Sequence, residues 1–137
     1  TVATVKAEVA SESAERLQGL MCRRSVPDGA GMVFDLPDAS SRGFWMYRTY
    51  IPLDLLYMHA TERGGEFSVI AFSTMEPCVR EQNESDTTWQ SRCVSEAALE
   101  TPSVTGFTAV LELPAGWLAR QGFDPSTAIG NLIVTNR

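Results

Sequence analysis

A single carboxylate in an apolar frame is the first candidate for chemistry in this sequence. Asp54 stands between Leu53 and Leu55-Leu56, and strand alternation puts it on the same face as Leu56 and Met58. A carboxylate there must be paired or hydrogen-bonded, because an isolated buried charge costs several kcal/mol or takes up a proton. Arg23 is the expected partner. The pair has a structural reading, an ion pair fixing a helix against a sheet, and a functional one, in which Asp54 is a general acid or base, or an anchor for a ligand's hydroxyl, with Arg23 and Thr49 positioning the ligand. Just upstream lies the aromatic run Phe44-Trp45-Met46-Tyr47-Arg48-Thr49-Tyr50. Trp45, Tyr47 and Tyr50 could give a stacking surface for a sugar or another flat apolar ligand; Trp45 and Tyr47 alternate against Phe44 and Met46, so both sets cannot fill one core, and the face of Trp45, Tyr47 and Thr49 is the candidate to line a groove.

Other catalytic arrangements find little support. No Gly-x-Ser-x-Gly elbow, glycine-rich phosphate loop or dinucleotide fingerprint occurs. A Ser-His-Asp or Cys-His centre would have to use His59, the only histidine, which has no supporting motif around it. Paired carboxylates for glycoside hydrolysis could be assembled from Asp54 with Glu62, Glu66 or Glu112, but any acidic protein supplies such pairs.

The elements that position these residues belong to one domain. A chain of 137 residues is in the single-domain range, so residues 1–137 are expected to share one core. Hydrophobic residues at 44% and charged residues at 20% are globular values, and no apolar run reaches the length needed to span a bilayer. A net charge of −6 without a lysine or arginine cluster argues against a nucleic-acid partner. Cys22, Cys78 and Cys93 fit no zinc spacing, and with one histidine they leave too few soft ligands, so neither a metal nor a cofactor is expected. Cys78 and Cys93 flank the polar segment 79–92. They are either two free thiols or a bridge, and a bridge would stabilise the fold by about 3 kcal/mol by closing that loop. Cys22 is expected as a small buried hydrophobe.

Along the chain, residues 4–10 alternate as a half-buried strand. Ser11 or Ser13 can cap a helix to about Met21 or Arg23, with Ala14, Leu17, Leu20 and Met21 as its apolar stripe. Turn chemistry at 26–31 leads into a strand at 32–36. Pro52 divides the aromatic stretch into strands at about 43–48 and 53–60. The turn Glu62-Arg63-Gly64-Gly65 predicts that the second of these pairs antiparallel with 66–73. Periodicity is absent from 75 to 104, which reads as a long connection without structure of its own. Alternation resumes at 106–113, a short helix opens at Pro114 and closes at Gly122, and a last strand spans 128–135. The fold class is α+β: mostly antiparallel β-sheet, barrel-like, with two short helices.

In these segments the chain resembles the bacterial and archaeal proteins grouped as domain of unknown function 192. The residues carrying the resemblance are Glu15-Arg16, Gly19-Leu20-Met21 with Arg23, Gly31-Met32 with Phe34, Phe44-Trp45-Met46, Thr49, Ile51-Pro52-Leu53-Asp54, Leu111-Glu112-Leu113 and Ala115-Gly116-Trp117 with Gly122. The chain has Tyr47-Arg48 where the family usually has Lys-Asn, and His59 where it usually has an acidic residue. The resemblance implies a compact β-rich domain with helices, no firmly assigned activity, and an export signal or lipoprotein leader. It also implies that Pro77-Cys78 and Cys93 match a cysteine pair found in similar members, which favours a Cys78–Cys93 disulfide and a periplasmic or extracellular location.

These readings lead to an exported binding or accessory module of the cell envelope with a small-molecule or glycan ligand. One alternative is a hydrolase or transferase centred on Asp54; another is a protein-interaction module using exposed aromatics. The sequence does not set the oligomeric state.

Overall fold

The computed structural model describes residues 2–10, 20–27, 29–35, 46–99, 107–122 and 131–136. Its strands are β1 (Val2–Ala10), β2 (Ala30–Asp35), β3 (Leu53–Ala60), β4 (Glu66–Met75), β5 (Ala109–Pro114) and β6 (Asn131–Asn136). They close into a barrel in the order β1-β2-β5-β3-β4-β6. The described residues form one helix of several turns, α1 (Asp86–Leu99), and a four-residue turn, α2 (Trp117–Arg120). The barrel is mostly antiparallel, but β1 runs parallel to both its neighbours, β2 and β6.

The predicted hairpin is present. β3 and β4 pair antiparallel from Leu53↔Met75 to Ala60↔Phe67, with a register shift at Tyr57/Met58, and the amide of Glu66 donates to Arg63 O at 3.0 Å in the turn. β5 lies on the other edge of β3, with Leu55 opposite Glu112.

Two apolar layers surround this wall. Inside the barrel, Val5, Ala7, Val33, Leu56, Met58, Val69, Leu111 and Leu113 form one buried cluster, with Val134 packed against it; strand alternation delivers one residue in two to the interior. Outside it, Met32, Phe34, Leu53, Leu55, Tyr57, Met75 and Val110 form a second cluster with Met46, Tyr47, Cys78, Trp89 and Cys93. Leu53 to Met58 are therefore all buried, which explains the nearly unbroken apolar run of β3: it has a covered face on both sides. Gly31 lets β2 approach β5, since a Cβ there would lie 2.1 Å from Glu112 O.

Several expectations are corrected. Within the strand expected at 43–48, residues 43–45 lie outside the described residues and 46–48 form a turn. The amide of Thr49 donates to Met46 O at 3.1 Å, and Arg48 has φ 57°, a left-handed conformation that ends extended structure. Met46 and Tyr47 are consecutive and both buried, so the segment covers the barrel as a strap rather than alternating across a sheet. The segment expected to lack structure contains α1. Ser85 caps it through Oγ, which accepts from the Thr88 amide at 3.1 Å, and only Trp89 and Cys93 are buried on the part whose side chains are described, too few for a visible apolar stripe. Most of the helix expected from Ser11 or Ser13 lies outside the described residues; at residues 20–22 the chain turns, with Cys22 at φ 66°. Cys22 is exposed, not buried.

Candidate functional site

Asp54 and Arg23 are not partners. Asp54 is 3% exposed on the inner face at one end of the barrel. Its Oδ1 accepts from Thr74 Oγ1 at 2.7 Å, and Thr74 is its cross-strand neighbour on β4. Its Oδ2 accepts from the Gly116 amide at 3.0 Å, where φ of 88° turns that N–H toward the carboxylate as β5 leads into α2. Both oxygens thus hold the barrel end closed, assisted by the bond from the Ala115 amide to Pro52 O at 3.0 Å. Arg23 instead makes a two-pronged contact with Glu8 on β1: Nη1 donates to Oε2, and Nη2 to Oε1 at 2.9 Å. Glu8 raises the Arg23 pKa, chiefly through these hydrogen bonds. The alternation that places Asp54 inward was legible in the sequence, but a partner far along the chain was not.

The strap carries two other candidates. Tyr47 is 5% exposed, its ring lies edge-on to Trp89 at 4.8 Å, and its hydroxyl donates to Asp86 Oδ1 at 2.7 Å. Thr49 is buried, with its hydroxyl 3.4 Å from Tyr47 O. Tyr47 is thus a packing anchor rather than an open stacking surface. Trp45, the remaining aromatic candidate, lies outside the described residues.

A lid built from residues 76–93 fastens onto the strap. Cys78 and Cys93 are disulfide-bonded with Cα atoms 5.8 Å apart. Trp89 Nε1 donates to Cys78 O at 2.8 Å. Arg92 clamps Glu84 with bonds of 2.9 Å to each carboxylate oxygen, which lowers the Glu84 pKa to about 2. Arg48 donates to Asp86 Oδ1 at 3.0 Å beside the Tyr47 hydroxyl, and these two bonds, Tyr47's first, lower the Asp86 carboxyl.

Glu112 differs from all of these. It is 4% exposed on the outer face of β5, opposite Met32 on β2 and Leu55 on β3. No described residue donates to or accepts from its carboxyl, and burial alone pushes its pKa up to about 8. At neutral pH it is a carboxylic acid, able to donate as well as accept a hydrogen bond. Asp54 and Glu112 cannot act as a glycosidase pair, because they point to opposite faces of the sheet. Glu66 pairs beyond the far end of β3, about 20 Å from Asp54 at roughly 3.3 Å per residue, and Glu62 in the adjoining turn is exposed. His59 is exposed as well. Among the described residues no group of His, Cys, Asp and Glu is placed to hold a metal ion.

The family model DUF192, described as Uncharacterized ACR, matches residues 1–130. The chain belongs to DUF192. No curated protein matches it. Two solved structures share the fold. A candidate transcription regulator from Sinorhizobium meliloti 1021 aligns over 91% of this chain and 77% of its own, with 24% identity and a TM-score of 0.59. A protein of unknown function from Novosphingobium aromaticivorans DSM 12444 aligns over 93% and 72%, with 24% identity and a TM-score of 0.56.

In this DUF192 chain the sequence reading ranked Asp54 above Glu112, although Leu111-Glu112-Leu113 repeats the same signal of one carboxylate between apolar neighbours. Strand alternation puts Phe107, Ala109, Leu111 and Leu113 on one face of this segment and Glu112 on the other. That side is buried because the outer apolar layer lies over it.

Proposed function

We propose that this DUF192 chain is a single-domain exported protein that binds a small-molecule or glycan ligand as an accessory module of the cell envelope. The observation that carries the reading is the buried Cys78–Cys93 bond, which closes the lid on itself, while Tyr47 and Arg48 of the strap hold that lid through Trp89 and Asp86 over the outer face of the barrel. Such bonds persist in oxidising compartments, and a stapled cover over a face holding a neutral buried carboxyl suits ligand capture better than a bare scaffold would require. The hydrolase or transferase reading draws no support from Asp54, whose two oxygens are both engaged by barrel-end donors. The large apolar side chains exposed among the described residues are Val9, Tyr50, Val79 and Ile133. They sit on separate elements, which gives an interaction surface little to build on. None of the described helices is long and apolar enough to cross a membrane.

The test has two arms. Cell fractionation, with thiol alkylation before reduction and mass measurement of the recovered protein, should place the chain outside the cytoplasm with one alkylated cysteine; three alkylated cysteines in a cytoplasmic fraction would refute export. A thermal-shift screen of glycans and small acids should give a specific stabilisation, retained in Asp54→Asn once its own lower starting temperature is allowed for.

A further inference from the structure

The guanidinium of Arg92 reaches several targets at once, and one of them is a sulfur. Nε and Nη2 each hold a carboxylate oxygen of Glu84 at 2.9 Å, Nη2 also donates to Val79 O, and Nη1 donates to Cys78 Sγ at 3.5 Å. A disulfide sulfur is a weak acceptor, so the oxidised pair gains little from a cationic donor aimed at it. A thiolate in the same place is a charged acceptor and gains far more. Cys78 is buried, so a thiolate there has little water and depends on a donor beside it. Cys78 is also where the lid is gathered: Cys93 is bonded to its sulfur, and the Trp89 indole N–H donates to its carbonyl. Trp89 and Cys93 are the buried residues on the part of α1 whose side chains are described, so each buried anchor of the helix is tied to Cys78.

We propose that the Cys78–Cys93 bond is a reversible redox switch of the lid, opened by a dithiol reductant, with Arg92 as the positioning residue that holds the Cys78 thiolate. A thiolate of the dithiol attacks Cys93 Sγ, the Cys78–Cys93 bond breaks, and its electron pair stays on Cys78 Sγ facing Arg92. The second thiol of the dithiol then displaces Cys93 from the mixed disulfide, and its proton passes to the Cys93 sulfur. The reductant leaves as a disulfide, oxidised by two electrons, and the cysteine pair is reduced by two. Both sulfurs belong to buried residues, so exchange takes place when α1 lifts from the strap, which holds it through Asp86 and Trp89. Reduction leaves the lid without its covalent closure. Arg92 keeps Cys78 deprotonated for the return, because the thiolate is the form that attacks a disulfide.

The switch stands on the contacts of the lid itself and is independent of ligand binding. The full chain would be equilibrated in dithiothreitol buffers of increasing reduced fraction, quenched in acid, alkylated and its mass measured. Wild type should pass reversibly from one alkylated cysteine, Cys22, to three. Trypsin should cut within 76–93 in the reduced state and lose that access on reoxidation. Arg92→Gln should need about tenfold more reducing buffer for half-reduction, the loss of one charge-assisted bond, and Arg92→Lys should recover most of the difference. A merely structural clamp predicts the opposite sign, since a loosened lid is easier to reduce. Half-reduction of Arg92→Gln at or below the wild-type ratio therefore overturns the proposal. If Arg92→Gln does not fold, the reduced wild type decides. Peptide mapping after brief iodoacetamide treatment at pH 7 should find Cys78 modified several times faster than Cys93, and equal or slower reaction of Cys78 overturns the assignment. Reduction that unfolds the barrel together with the lid, without recovery on reoxidation, overturns it as well.

Discussion

Asp54 and Glu112 occupy adjacent strands one register step apart, since Leu55 faces Glu112 and Asp54 faces Leu113, yet they lie on opposite sides of the barrel wall. One has both oxygens bonded at the barrel end; the other is buried in an apolar layer without a bond from any described residue. This split makes Asp54 a fastener and leaves Glu112 the carboxyl whose protonation is set by burial.

Glu112 should make stability fall as pH rises. Its folded pKa of about 8 exceeds the ordinary 4.5, so between those values the folded state holds a proton that the unfolded state has lost. The contribution is fully present below about pH 4.5 and is lost as pH rises through about 8, with a limiting slope of about 1.4 kcal/mol per pH unit. Denaturant midpoints measured from pH 5 to pH 9 should show the decline. Glu112→Gln should flatten it and be the more stable protein at pH 8; equal slopes in the two would rule out the assignment.

Removing the Asp54 carboxylate should open the barrel end. Asp54→Ala leaves the half-buried Gly116 amide without its acceptor, while the exposed Thr74 hydroxyl turns to water, and is expected to cost about 2 kcal/mol. Asp54→Asn can keep both contacts if Thr74 accepts instead of donating, and should cost about 1 kcal/mol. Urea unfolding of the two variants gives the comparison, and amide exchange at Gly116 should quicken in the alanine variant.

Breaking the staple should free the lid before the barrel. Replacing Cys78 and Cys93 by serine should remove about 3 kcal/mol, the chain-entropy value for a loop of this length. Hydrogen exchange should then accelerate along α1 and at Thr49 more than along β3. Uniform acceleration would mean that lid and barrel unfold as one unit.

Acid should loosen the same lid. Glu84 and Asp86 both have depressed pKa values, Glu84 through Arg92 and Asp86 through Tyr47 and then Arg48. Their contributions are present above the ordinary carboxylate range and lost as pH falls through the folded values, for Glu84 toward about 2. Proteolysis by pepsin at pH 2 to 4 should cut within 76–93 first, and Glu84→Gln should move the onset of cutting to higher pH. Tyr47→Phe should do the same through Asp86.

How much of this was legible in the sequence depends on the range of the interaction. Alternation and turn chemistry by themselves determined the β3–β4 hairpin, the strands near β1, β2 and β5, and the inward direction of Asp54, because backbone pleat and turn torsions are set by neighbouring residues. The motifs of the chain also pointed to its family and to the cysteine pair. Only the tertiary structure decided that β1 runs parallel to β2 and β6, that Arg23 meets Glu8 rather than Asp54, and that Met46 and Tyr47 form a strap rather than a strand. It alone showed that the outer face of β5 is covered. That cover decides the most consequential property of the chain: Glu112 would be an ordinary surface carboxylate on an open sheet, and it becomes a neutral buried acid because a second apolar layer removes its water.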